Sequence, residues 1–191
     1  MKKSYVFLAT GFEEIEALTV VDVLRRAGIE VVTVSVTDAL EVEGAHNIVV
    51  KADTMFDDNN YADAQWLILP GGMPGATNLV AHDGLRLLLV NQHRENRGIA
   101  AICASPAVVL GKLGLLQGRH AVCYPGFERS FSGIKWEAKP VAIDGNIITA
   151  NGPAAANPFA LAIVSHTLDR EKALDVAEGM LLYEGNYEFF F

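Results

Sequence analysis

The run Gly98-Ile99-Ala100-Ala101-Ile102-Cys103-Ala104-Ser105-Pro106 constrains the fold more than any other segment. Its first five residues read as a buried parallel strand, small and branched apolar side chains with no polar alternation. From Ala104 to Gly111 the pattern turns helical at once, with no loop between. Cys103 stands at the junction with small residues on nearly every side, as a sharp and crowded strand-to-helix turn requires. Such a turn lifts one side chain out of the sheet at its carboxyl edge. It also aims that side chain at a helix N-terminus, whose partial positive charge favours a thiolate. The alternative is a buried structural cysteine, since free Cys is among the most buried residue types.

Elsewhere, apolar strands alternate with helical segments, the pattern of a mostly parallel sheet covered on both faces. Strands are expected near Lys3–Ala9, Glu30–Val36, Gln65–Pro70 and His120–Tyr124, with a β pair around Asp144-Gly145. Helices are expected near Glu13–Ala27, closed by Gly28 in the left-handed conformation, then Gly84–Asn96, a short helix after Cys103, Phe159–Leu168 and Arg170–Tyr183. Ala39–Lys51 reads as a hairpin around Glu43-Gly44-Ala45, an edge or interface element, and an aromatic tail runs from Asn186 to Phe191. Right-handed crossovers then give a doubly wound α/β sandwich, with ligands at the carboxyl ends of its strands. With no repeat, linker or low-complexity run, residues 1–191 are expected to form one domain.

The net charge of −8 argues against nucleic acid or an anionic membrane as the main partner. Tyr5–Ala9 is too short for a signal-peptide core and lacks a small-residue cleavage pattern, so a cytoplasmic location is expected. There a disulfide between Cys103 and Cys123 is not expected, and two cysteines make no metal motif. No spacing supports zinc, and no G-x-G-x-x-G or phosphate loop appears, so no cofactor is expected.

Three strand ends carry candidate chemistry. After the first, helical spacing puts Glu16 on one stripe with Val20, Val23 and Ala27. An acid on an apolar stripe faces the interior, where burial raises its pKa, and a protonated carboxyl there can donate to a thiolate. Glu13 and Glu14 read instead as first-turn acids that complement the helix dipole. After the strand ending Leu69-Pro70, the pair Gly71-Gly72 lets the backbone approach a ligand with its N–H groups outward. With the Ala104 N–H they can form an oxyanion hole beside Cys103, although most such pairs are only turns. Tyr124 ends a third strand, placing its hydroxyl near the turn or packing in the core. Cys123 points to the opposite face, packed rather than reactive. None of His46, His82, His93, His120 and His166 sits at an obvious strand carboxyl end, so no Cys-His dyad is apparent.

These pieces together resemble the ThiJ/PfpI superfamily, in its DJ-one/YajL branch. The matching segments are Gly11-Phe12-Glu13-Glu14-Ile15-Glu16, Val21-Asp22-Val23-Leu24-Arg25-Arg26-Ala27-Gly28, Leu69-Pro70-Gly71-Gly72, Ala101-Ile102-Cys103-Ala104-Ser105-Pro106, and Gly152-Pro153 leading to Phe159–Val164. Their order and spacing cover nearly the whole chain. The resemblance implies a flavodoxin-like sandwich with a cysteine nucleophile elbow, usually a homodimer. It implies Cys103 as the nucleophile, readily oxidised to a sulfinate, and Glu16 as its partner. It also implies Gly72 and Ala104 as backbone oxyanion donors, with Gly71, Tyr124 and His46 about the substrate pocket; His46 falls where some members carry an arginine. The implied activities are cofactor-free conversion of α-oxoaldehydes, as a glyoxalase or deglycase, or a redox sensor or chaperone role. A peptidase is disfavoured, because Tyr124 stands where the protease-like members carry a histidine, and a peptidase needs that base.

Overall fold

In a computed structural model that describes residues 2–182, a seven-stranded sheet forms the centre of the molecule. Strand β1 (Ser4–Leu8) leads into helix α1 (Glu14–Arg26) and strand β2 (Val31–Ser35). Strands β3 (Glu41–Glu43) and β4 (Val49–Lys51) pair antiparallel as the expected hairpin. Its turn spans Gly44–Ile48, longer than the sequence suggested, with Asn47 in the left-handed region at φ 62°. Strand β5 (Thr54–Met55), strand β6 (Trp66–Leu69), helices α2 (Gly75–Ala81) and α3 (Asp83–Arg94), and strand β7 (Gly98–Ile102) follow. A wide π-helical turn covers Pro106–Gly111. Strands β8 (His120–Ala121), β9 (Lys135–Trp136), β10 (Val141–Asp144) and β11 (Ile147–Ala150) lead to helices α4 (Ala156–Thr167) and α5 (Arg170–Gly179).

The strand order is β10-β11-β7-β6-β1-β2-β5, all parallel except β10 against β11. Parallel strands covered on both faces must be apolar throughout, and β1, β6 and β11 are buried at every residue. Alternation sorts their side chains into two cores. Val6, Leu8, Ile68, Ala100 and Ile102 face Val20, Leu24, Phe159 and Ile163 of α1 and α4. Tyr5, Phe7, Leu67, Leu69 and Ile99 face Leu79, Leu85, Leu89 and Leu110. Helix α1 ends as expected on Gly28, at φ 81°, where the N–H groups of Gly28 and Ile29 reach back to Arg25 and Leu24.

Three expectations need correction. The strand expected over His120–Tyr124 stops at Ala121 and pairs with β9 in a separate ladder, outside the main sheet. Beyond it, the Val122 N–H donates to Thr149 Oγ1 (3.0 Å) and the Tyr124 N–H to the Cys103 carbonyl (2.7 Å), so these donors serve other partners. Helix α2 was not expected at all. It begins on Gly75 with no side-chain cap, so neither propensity nor a start signal marked it. Helix α4 begins three residues before its expected start, with Pro158 in a first turn that needs no N–H there. The aromatic tail and the expected end of the last helix at Tyr183 lie outside the described residues.

Candidate active site

The turn after β7 has the expected form. Cys103 adopts φ 65°, in the left-handed region that side chains rarely enter. The strain is held from several sides: its N–H donates to the Ala150 carbonyl of β11 (2.8 Å) and its carbonyl accepts from Tyr124. Buried Ser105 then ties the helical turn to the neighbouring strand end, donating from Oγ to the Pro70 carbonyl at 2.5 Å. The Cys103 side chain is half-buried, and the backbone N–H groups of Gly72 and Ala104 are near enough to pull its thiol pKa down.

Helix α1 delivers Glu16 to the same place. Glu16, Val20 and Val23 are all fully or almost fully buried. Glu16 Oε2 accepts from the Gly71 N–H at 2.7 Å. Its other oxygen, Oε1, is buried with no hydrogen-bond partner among the described residues. Gly71 lies between acid and thiol: a Cβ there would stand 2.5 Å from Cys103 Cβ and 2.8 Å from Glu16 Oε2. Only glycine leaves the two side chains this close. Gly72 is at φ 83°, and its own Cβ would meet the Gly11 carbonyl and the Glu13 amide.

Burial pushes Glu16 up to about 7, against the pull of the Gly71 N–H and the Cys103 thiol. For Cys103, burial and then the charge of Glu16 push the thiol up to about 12, while the Gly72 and Ala104 N–H groups pull it down. With Glu16 ionised, the direction is therefore opposite to the depressed thiol expected from the elbow alone. The two groups repel a second negative charge and titrate as a pair around one shared proton.

The remaining predicted residues scatter. Tyr124 reaches Cys103 through its backbone; its ring is 47% exposed, lies against Gly152 and meets Phe127 edge-on. It is neither a core tyrosine nor a strand residue. Cys123 is buried as expected and lines a cavity of about 510 Å³ with Trp136, Glu137 and Lys139. His46 contacts α1 rather than Cys103: its Nδ1 lies 3.0 Å from Glu14 Oε2 and 3.5 Å from Glu13 Oε2. Glu14, read as a dipole-complementing acid, is 4% exposed and also accepts the His46 N–H at 2.8 Å. Sequence reasoning missed this pairing, since 32 residues separate the two groups and no periodicity links them.

The chain matches the DJ-1/PfpI family over residues 2–166. It belongs to that family. Protein DJ-1 homolog B of Arabidopsis thaliana is 35% identical over 182 residues, covering 95% of this chain. The chain spans 42% of that protein's length, less than half, but 97% of Protein dj-1beta of Drosophila melanogaster, at 34% identity over 95% of this chain. Deglycase PH1704 of Pyrococcus horikoshii is 30% identical, covering 76% of this chain and 87% of its own. Among solved structures, oxidized DJ-1 of Toxoplasma gondii superposes with a TM-score of 0.92 at 38% identity, covering 96% of this chain and all of the other. The flavodoxin-like sandwich of the DJ-1/PfpI family is therefore the fold of this chain. Among the described residues no helix is long and apolar enough to cross a membrane.

Proposed function

We propose that this DJ-1/PfpI member is a cofactor-independent cysteine enzyme acting on α-oxoaldehydes, as a glyoxalase or deglycase, with Cys103 as nucleophile and Glu16 as proton carrier. The close packing of buried Glu16 and the Gly71 backbone against the strained Cys103 carries this reading. The name of the Pyrococcus relative, a deglycase, supports it. In the reactive microstate the shared proton rests on Glu16 and the sulfur is a thiolate. The unpartnered Glu16 Oε1 supports that state, because a protonated carboxyl needs a place for its hydrogen and the sulfur offers one.

With methylglyoxal, the thiolate attacks the aldehyde carbon, a C–S bond forms, and the oxyanion takes the proton of Glu16, which is left ionised. Ionised Glu16 then removes the proton on that carbon and returns it to the neighbouring carbonyl carbon through an enediol. The product of this transfer is a lactoyl thioester. Water cleaves the C–S bond, releasing lactate and restoring the thiol, so the sum is aldehyde plus water with no outside oxidant. Purified protein should convert methylglyoxal to lactate, and Cys103→Ser and Glu16→Gln should each abolish it. Undiminished aldehyde in the presence of reduced wild-type protein would refute the reading.

A second reading, an oxidisable sensor thiol, draws support from the same half-buried sulfur and from the oxidized state of the Toxoplasma relative. It predicts that peroxide converts Cys103 to the sulfinate well before Cys123. Equal oxidation of the two would end it.

A further inference from the structure

Ser105 stands directly before the π-helical turn, where a serine hydroxyl ordinarily accepts a hydrogen bond from the first helical N–H groups. It makes no such bond. Its side chain is fully buried and turns the other way, donating from Oγ to the Pro70 carbonyl at 2.5 Å. Ser105 is itself helical, at φ −63° and ψ −35°, where alanine is the better residue and a buried hydroxyl is costly unless bonded. The acceptor it meets has a particular place in the site. Pro70 C=O and Gly71 N–H are two ends of one peptide group, and that N–H donates to Glu16 Oε2 at 2.7 Å. A single planar unit therefore carries the hydroxyl on one side and the carboxylate on the other.

We propose that Ser105 is a positioning residue for Glu16, acting through the Pro70–Gly71 peptide rather than by contact, a role that rests on the reading of Glu16 as proton carrier. The geometry gives it two effects. Because the peptide is planar, a carbonyl fixed on the Ser105 side fixes the direction of the N–H on the Glu16 side. A hydrogen bond to the carbonyl oxygen also draws electrons toward it and leaves the N–H a stronger donor, and buried bonds in a chain reinforce one another in this way. Both effects favour the ionised form of Glu16. That form depends on few partners, since Oε1 has none among the described residues and the groups that hold the charge are the Gly71 N–H and the Cys103 thiol. The loop has a second anchor one peptide further on, where the Glu13 N–H donates to the Gly71 carbonyl at 3.0 Å. Without the Ser105 hydroxyl that anchor keeps the loop in place, while the Pro70–Gly71 plane is free to tilt and its N–H donates less strongly.

The test is the titration of Glu16 itself, by carboxyl NMR of isotope-labelled glutamate in the full-length chain. Cys103→Ser serves as the parent, so that Glu16 titrates without the thiol, and its signal is the one that Glu16→Gln removes. Adding Ser105→Ala should raise the Glu16 midpoint by about half a pH unit. The Gly71 amide proton, held downfield by the carboxylate, should move upfield in the same variant. Ser35→Ala is the control: Ser35 is also fully buried and donates to a backbone carbonyl, that of Ala39, at 2.6 Å, but at the end of β2. It should lower the melting temperature as Ser105→Ala does and leave the Glu16 midpoint at the parent value. A midpoint unmoved by Ser105→Ala, or moved as far by Ser35→Ala, overturns the proposal. The titration uses no substrate, so this failure is distinct from absent methylglyoxal turnover in the wild type, which bears on the enzymatic reading alone.

Discussion

Replacing Gly71 with alanine places one methyl group between Cys103 and Glu16. Its Cβ would stand 2.5 Å from Cys103 Cβ, 2.8 Å from Glu16 Oε2 and 3.0 Å from the Ile102 carbonyl oxygen. Two of these neighbours cannot swing away: one belongs to the elbow residue and one to the main chain of β7. Carbon atoms rest about 3.5–4.0 Å apart, so the Cβ pair must separate by about 1 Å. A shift of that size carries the Gly71 N–H, now 2.7 Å from Glu16 Oε2, out of hydrogen-bond range. Overpacking costs about 1–3 kcal/mol and the lost carboxylate bond about 1.5–3 kcal/mol, hence about 4 kcal/mol together. Urea denaturation should show it as a midpoint lower by about 2 M. Methylglyoxal turnover should fall by about a hundredfold, the usual effect of an ångström-scale misplacement. Gly28→Ala is the control: Gly28 has φ 81° and nothing within 4 Å of its Cβ position. It should cost about 1–2 kcal/mol from backbone strain and leave turnover alone. Wild-type stability and turnover in Gly71→Ala would refute the packing argument.

Three further outcomes follow from the same geometry. Burial lifts Glu16 from 4.5 to about 7, so its protonated form favours the native state. That contribution is complete below about pH 4.5 and is lost as the pH rises to about 7, a change of about 3 kcal/mol. Glu16→Gln should therefore gain stability on wild type as pH rises through this window in urea melts; a pH-independent difference would contradict it. Ser105→Ala leaves the Pro70 carbonyl without its 2.5 Å donor and should cost about 1–3 kcal/mol in the same assay. Peroxide followed by peptide mass analysis should find Cys103 oxidised ahead of Cys123, which is 9% exposed and more deeply buried.

Much of the site was legible because it rests on local pattern. The small residues around Cys103 encode the elbow, the stripe of Glu16, Val20 and Val23 fixes which way the acid points, and Gly71-Gly72 marks a close backbone approach. Gly28 marks the end of α1. What failed depended on partners distant in sequence. The donors of Val122 and Tyr124 bond to Thr149 and Cys103, which no run of apolar residues near Cys123 reveals, so the strand there was drawn too long. Helix α2 begins without a cap and was missed. The dipole argument placed Glu13 and Glu14 at the N-terminus of α1, where they are the N-cap and the first helical residue, but could not foresee a hairpin folding His46 onto them. The thiol's electrostatics divided in the same way. The elbow argues for a thiolate, while burial and the facing carboxylate, visible only in three dimensions, push the other way.

The shared proton between Glu16 and Cys103 is the centre of this account, and the pH profile of Cys103 alkylation measures it. Alkylation is read by peptide mass in wild type and Glu16→Gln, with Cys123, pushed up to about 12 by burial, as the internal reference. The account predicts that wild-type Cys103 reacts in two steps, the first near pH 7 where burial places Glu16. Glu16→Gln, with one titrating group left, should show a single step at a different pH. Superimposable profiles, or a Cys103 that reacts no faster than Cys123, would contradict it.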